Sequence, residues 1–289
     1  MFLKFLVKPN FIAFCKSENI YYVLNEQYKK NEIIFNETKE FENKKDLEKY
    51  IKETSEENPQ TYVSTFITSQ NQGVVPSCSK QKYKEMSIEI ENVKFTCINN
   101  KYSFYTTLYE LMEIKKAYPF ADFIYPAFAI IDFNSTIRTN TLYILSTKEY
   151  SYILVYGNKI PVFSDIFEIV EETLQEEEEE IEEFDDIDIV DDFDDTLDED
   201  IENIEDIDEN DEEKIENLDM EYKVFNHVKE ALKEYYDNGG DFIEKIFIFD
   251  TIGLQESITS TINDELFIEA KLEKIDILKT LNKISRENV

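Results

Sequence analysis

Carboxylates are the only side chains here numerous enough to suggest chemistry by count alone: 64 Asp and Glu stand against 30 Lys and Arg, for a formal charge of −34. Twenty-seven of them fall between Glu171 and Glu213, a stretch with no Lys or Arg, which leaves 37 acids against 30 bases elsewhere. A general acid and its conjugate base need a low-dielectric pocket that drives two pKa values apart. A run this dense is solvated charge and forms no such couple. His227 is the one histidine, so a Ser-His-Asp triad would rest on it alone and a two-histidine zinc site is excluded; it reads as an ordinary helix residue. Cys15, Cys78 and Cys97 are odd in number and far apart. They give neither a disulfide framework nor a metal-ligand spacing, and a reduced, cytoplasmic protein is expected. Neither GxxxxGK[ST] nor HExxH occurs. With 5 glycines in the chain, few places allow a backbone to approach a phosphate closely. No catalytic, cofactor-binding or metal-binding residue is assigned, and no enzyme is expected. The acidic balance also argues against direct nucleic-acid binding, because phosphate backbones are repelled by the same field.

The elements that would position any site follow from hydrophobic periodicity. FLKFLV (2–7), FIAFCK (11–16) and IYYVLNE (20–26) read as three strands split by turn formers. Asn43 stands at an N-cap position ahead of the helix 44–53, and TYVSTFITS (61–69) reads as a strand. A hairpin is expected around Glu91-Asn92. A helix over 105–118 would turn Leu108, Leu111, Met112 and Ile114 to a core, and the apolar run 121–133 reads as a buried strand. TLYILST (141–147), YSYILVYG (150–157) and KIPVF (159–163) form a second meander. Beyond the acidic stretch come a helix from Met220 to Tyr236, a Gly239-Gly240 stop after Tyr236-Asp237-Asn238, a strand over 243–250, a helix near 254–266 and a strand over 267–272.

The order βββ, α, β therefore occurs twice. This is the plan of a duplicated ribonuclease-H-like, actin-like ATPase fold of the α/β (α+β) class, with a first half at 1–135 and a second at 136–289 interrupted by an acidic, disordered insertion at 171–213. Such a fold holds nucleotide phosphates on a glycine-bearing turn in each half. The turns expected here, Val7-Lys8-Pro9-Asn10 and Ser146-Thr147-Lys148-Glu149, carry no glycine. Asp250-Thr251-Ile252-Gly253 stands where a glycine pair would contact adenosine. No nucleotide cofactor is expected.

Within the insertion, Val190, Phe193, Leu197, Ile201 and Ile204 advance by three or four residues, which makes one apolar stripe if the segment turns helical on a partner. Phe184, Phe193, Leu197 and Ile201 are the partner-binding residues this spacing singles out. A plain solubilising loop is the alternative reading of such a charge run.

The layout FYTTLYELMEIKKAYPFADFIYPAFAIIDF, then TLYILSTKEYSYILVYGNKIPVFSDIF, then VKEALKEYYDNGGDFIEKIFIFD resembles the PilM and GspL cytoplasmic proteins of type IV pilus, type II secretion and DNA-uptake (competence) machines. The resemblance is one of layout and hydrophobic texture, best over 101–170 and 220–272. It implies a cytoplasmic scaffold, peripheral to the inner membrane, that links an inner-membrane assembly protein to the assembly ATPase and meets the membrane only through that partner. GspL-type chains continue into a transmembrane helix and none is seen here, which favours recruitment by a partner. An ATP-binding actin-like enzyme or switch and a stand-alone acidic interaction protein are the competing readings.

The charge and the stripe make separable contributions to such docking, since attraction over distance sets the encounter and apolar contact sets the lifetime. Replacing Phe184, Phe193, Leu197 and Ile201 by Ser keeps every charge; the variant is expected to lose partner capture from lysate through faster dissociation. Retrieval of the same proteins by both chains would reduce the segment to a spacer.

Overall fold

The computed structural model describes residues 8–29, 32–169 and 209–289, with side chains from 218 onward in the last stretch. Strands β1 (Asn10–Ser17), β2 (Ile20–Lys29) and β3 (Glu32–Phe41) form an antiparallel meander. Helix α1 (Lys44–Glu57), opened by the Asn43 side chain accepting from the Asp46 amide, returns the chain to β4 (Thr61–Ile67), parallel to β1. A small antiparallel sheet follows, made of β5 (Gln72–Val75), β6 (Val93–Ile98) and β7 (Tyr102–Thr107), with the short helix α2 (Lys80–Glu85) beside it. Helix α3 (Leu108–Ala117), strand β8 (Phe123–Pro126) and helix α4 (Ala127–Asn134) complete the first half. The main sheet is ordered β3-β2-β1-β4-β8, and β8 is parallel to β4.

The second half repeats this plan. Strands β9 (Thr141–Ser146), β10 (Tyr150–Gly157) and β11 (Ile160–Glu168) form the meander; α5 (Glu209–Asp237), β12 (Lys245–Asp250), α6 (Ser257–Leu266), β13 (Glu269–Lys274) and α7 (Ile277–Glu287) follow. Its sheet is ordered β11-β10-β9-β12-β13, with β12 parallel to β9 and β13 parallel to β12. Two sheets with one order and one set of senses make the duplicated actin-like fold. Their inner faces share a core in which α4 (Phe128, Ile130, Ile131) and α7 (Leu281) meet Tyr143, Leu145, Leu154 and Phe249. The outer face of the second sheet packs on α5 and α6, and that of the first on α1.

Several sequence expectations are corrected. The first meander lies at 10–41, one strand later than read, because β3 is exposed along most of its length and lacks the alternation of a half-buried strand; residues 2–7 lie outside the described residues. The hairpin turns at Asn99-Asn100, both at positive φ, while Glu91-Asn92 sits in a 3-10 turn. The run 121–133 is a four-residue, half-buried strand followed by α4, since a nearly unbroken apolar run shows no period to tell helix from strand. Residues 105–107 belong to β7, and α3 buries none of its side chains; Met112 is 70% exposed. Helix α5 begins at Glu209, inside the stretch taken as insertion. Cys78 and Cys97 are joined in a disulfide, their Cα atoms 5.6 Å apart, so the cysteine count misled: β6 and the loop after β5 come together and the odd thiol is Cys15.

Helix α7, unread in the sequence, crosses from the second half onto the first. Its Asn282 amide donates to Glu26 Oε2 at 2.9 Å, Asn134 Nδ2 donates to Thr280 Oγ1 at 3.3 Å, and Leu281 is fully buried. Truncating Leu281 to Ala is expected to cost about 3 kcal/mol, within the range for a buried leucine that leaves a cavity. Urea titration followed by circular dichroism measures it; a loss below about 1 kcal/mol would mean that α7 is not part of the shared core.

Candidate functional site

The two halves face each other across a cleft at the ends of their first hairpins. The β1–β2 turn is Ser17-Glu18-Asn19, so the first phosphate-loop position is this turn and not Val7 to Asn10. The β9–β10 turn is Thr147-Lys148-Glu149, as read from the sequence. Between them and the start of α7 lies a cavity of about 490 Å³ whose lining includes Cys15, Tyr22, Phe66, Ile252, Ile277 and Leu278. Lys148 Nζ reaches across to Glu18 Oε1 at 2.5 Å. The Lys148 ammonium holds the Glu18 carboxyl below its usual range, first by the hydrogen bond and then by charge. The cation a phosphate would seek at this mouth is thus engaged by a carboxylate of the opposite half.

The third position, after β12, is occupied by the chain's own anion. Asp250 is buried, and its Oδ1 accepts the amides of Ile252 at 2.9 Å, Gly253 at 2.9 Å and Leu254 at 3.2 Å. Three backbone N–H groups converging on one oxygen make an anion nest, filled here by the side chain at its own base. Gly253 has φ +91°, which allows the turn to curl back on that carboxylate. Glu221 of α5 accepts the Gln255 amide at 2.8 Å and the Ser257 hydroxyl at 2.7 Å, taking the donors at the entry to α6. Gly239, at φ +79°, ends α5 as expected, with its amide bonded to Tyr236 O.

Nucleophilic chemistry fares similarly. Cys15 lines the cleft, but burial first and Asp276 second push its thiol up to about 12, and at neutral pH it is no thiolate. His227 is not a lone helix residue. Its Nδ1 lies 3.0 Å from Ser151 Oγ and its Nε2 3.1 Å from Asp165 Oδ2. The residue types are those of a triad, yet Ser151 is 0% exposed near the start of β10, beyond reach of any substrate. The trio is a buried polar network tying β10, β11 and α5 together. Nothing in the sequence spacing, 76 residues between Ser151 and His227, could have flagged it.

A second network sits where the small sheet meets both halves. Asp132 of α4 accepts from Tyr102 OH at 2.8 Å and from Tyr156 OH, and lies 3.3 Å from Arg138 Nη2. Burial first and the Asp132 charge second raise both tyrosine pKa values, so the phenols stay protonated donors. The partner-binding residues inferred from the sequence, Phe184, Phe193, Leu197 and Ile201, lie outside the described residues. Exposed apolar side chains stand on α3: Leu108 and Met112, which sequence reasoning assigned to a core, and beside them Tyr109, 70% exposed. Among the described residues no cluster of His, Cys, Asp or Glu has the arrangement of a metal site, and no helix is long and apolar enough to cross a membrane.

Residues 142–289 match the family described as Domain of unknown function (DUF8341), and residues 7–132 match Domain of unknown function (DUF8569). No curated protein matches in sequence. Among solved structures, the chain is similar to a Bacteroides thetaiotaomicron protein described as having an actin-like ATPase fold and unknown function (10% identity, 99% of this chain and 97% of that one, TM-score 0.48). It is also similar to the cytoplasmic domain of EpsL, an inner-membrane component of the Vibrio cholerae type II secretion system (8%, 97% and 95%, TM-score 0.44). A third is the PilM-PilN type IV pilus biogenesis complex (8%, 96% and 94%, TM-score 0.47). The assignment of the fold rests on the duplicated strand order; likeness at this level carries nothing about activity.

The His227 contact sets a pH test. The hydrogen bond from His227 holds the Asp165 carboxyl below its usual value against the opposing effect of burial. A depressed carboxyl contributes stability that is fully present above the unfolded value of about 3.9 and is lost as pH falls through the lower folded value. Wild type is therefore expected to exceed Asp165→Asn in thermal midpoint at pH 6, with the gap closing as acid is added below about pH 4. A gap unchanged down to the acid end would show that the carboxylate form of Asp165 adds nothing to the fold.

Proposed function

The chain belongs to the DUF8341 family, and from the geometry of its cleft we propose that it is a non-enzymatic cytoplasmic scaffold of an envelope-spanning secretion, pilus or DNA-uptake machine. One observation carries the non-enzymatic part: each position at which this fold would hold a nucleotide is engaged by the protein itself. Lys148 is paired with Glu18, the amides after β12 are on Asp250, and the donors entering α6 are on Glu221. An incoming triphosphate would have to displace these charge-assisted contacts and would bring its own negative charge to a chain already strongly acidic. The actin-like frame then serves as a two-lobed platform with exposed apolar side chains on α3 for protein contacts. The layout shared with PilM and GspL proteins supports placing that platform beneath an inner-membrane assembly protein and beside an assembly ATPase. Recruitment to the membrane would come through the partner.

Two measurements test the reading. Isothermal titration of the full chain with Mg-ATP is expected to give no saturable heat at millimolar nucleotide; micromolar binding weakened by Asp250→Ala would instead favour a nucleotide switch. Affinity capture of the chain from solubilised membranes is expected to retrieve an integral membrane protein with a cytoplasmic tail, together with an ATPase. Double substitution of Tyr109 and Met112 by Ser should weaken that capture at least tenfold while leaving the thermal midpoint unchanged. Undiminished capture would remove α3 from the partner surface.

A further inference from the structure

A second cavity, of about 470 Å³, lies on the first half where α1 passes strands β2 and β3. It shares no lining residue with the cleft between the halves. Tyr50 of α1 fixes the polarity of its lining. Burial pushes the phenol up to about 12, so it stays protonated. It donates to Glu37 Oε2 of β3 at 2.8 Å and therefore accepts from Asn25 Nδ2 of β2, also at 2.8 Å. That bond turns the amide nitrogen of Asn25 toward Tyr50 and leaves its oxygen over. Asn25 is only 3% exposed, it lines the cavity, and its Oδ1 has no donor. Buried acceptors in native structures are paired, and one left unpaired beside a cavity calls for a donor from outside the chain.

The charge around the cavity asks for the same chemistry. Lys39 is the one base among the described residues that line it, against Glu37, Glu53 and Glu57. The ammonium of Lys39 is already engaged, 3.2 Å from Glu37 Oε1 and 4.3 Å from the centre of the Tyr50 ring. The chain's own side chain thus shows what this lining accepts: an alkylammonium set between a carboxylate and an aromatic face. Glu53 and Glu57 stand four residues apart on one face of α1. The ion pairs of that helix are Lys44 with Glu48 and Lys52 with Glu56, so both lining carboxylates are without a base among the described residues.

We infer that this cavity binds a linear aliphatic polyamine, whose ammonium groups donate to Glu53, Glu57 and the Asn25 carbonyl oxygen. The carboxylates are spread along the cavity and do not converge: among the described residues no cluster has the arrangement of a metal site. A ligand that matches them must spread its positive charge as well. The three unspent groups are all acceptors, which suits a ligand rich in N–H donors and gives a phosphate or carboxylate nothing to bind. A formal charge of −34 draws polycations to the chain as a whole. The site is independent of the scaffold role proposed above.

Isothermal titration of the full chain with spermidine at physiological ionic strength tests this. Because the acidic stretch 171–213 also attracts polycations, two double variants that remove the same charge are compared. Glu53→Gln with Glu57→Gln is expected to weaken a saturable site roughly tenfold, a few-fold for each exposed ion pair lost. Glu177→Gln with Glu178→Gln, in the acidic stretch, should change it by less than about twofold, since exposed charges at a distance are screened. All the replaced side chains keep their size, and circular dichroism should report both variants folded. Butylamine, which carries the single ammonium of a lysine side chain, should give no saturable heat. A wild-type chain without a saturable spermidine site overturns the inference. Equal binding by the two double variants does so too, as does butylamine binding as tightly as spermidine.

Discussion

Everything in this molecule depends on two sheets having to bury their inner faces on the same pair of helices. Neither sheet can cover that face from within its own half. The first sends α4 into the gap and the second returns α7 to it, and Phe128, Ile130, Ile131 and Leu281 become fully buried between Phe66 on one side and Leu145, Leu154 and Phe249 on the other. Burial of this kind, at about 25 cal/mol per Å² of apolar surface, dominates over any single polar contact in the chain. It also means that the chain's last helix is structurally part of its first half, so the two halves cannot separate without exposing a core.

The cleft inherits its geometry from that layer. With the hairpin turns fixed opposite each other, what lies between them is decided by a few side chains. Here those side chains satisfy one another. Burying a carboxylate such as Asp250 is costly unless donors surround it, and three backbone amides of the turn where this fold would contact adenosine do so. The same contacts that make the turn after β12 a stable piece of backbone engage its three amides with the chain's own carboxylate.

How much of this the sequence disclosed follows a physical division. The second meander, the helix 220–236 and the strand at 243–250 were legible because their apolar residues repeat with the period of their structure, or fill a short strand buried on both faces. Strand β3 went unread, and helix α3 was read as a helix but given a core face it lacks, for the converse reason: an edge strand and a helix without buried residues have no burial to impose a pattern. Segment 121–133 is apolar almost throughout, although β8 is only half-buried, and an unbroken apolar run erases periodicity from the other direction. The site was less legible still. The missing glycines could be read from the chain, but not that Glu18 would meet Lys148 across 130 residues, nor that Ser151, Asp165 and His227 would converge. Long-range pairs leave no local signal, and the first hairpin turn was assigned one strand too early. The Cys78–Cys97 bond escaped because counting thiols says nothing of which two a fold brings within 5.6 Å.

An apolar layer alone would tolerate sliding, since hydrophobic contact is non-directional. Polar contacts at its margins do not. On one side Asn282 of α7 donates to the buried Glu26, which also accepts from Tyr28 at 2.9 Å, and Arg286 stacks 3.8 Å over the Tyr28 ring. On the other, Asp132 of α4 gathers Tyr102, Tyr156 and Arg138, residues drawn from the small sheet, the second sheet and the crossing segment. Shifting either helix by one turn would leave these groups buried without partners, at about 1–3 kcal/mol each and more for the carboxylates. The two sets of contacts lie on different helices, so rotation of one half on the other cannot spare both. The two halves are therefore held to one another by directional contacts at both helices as well as by apolar burial.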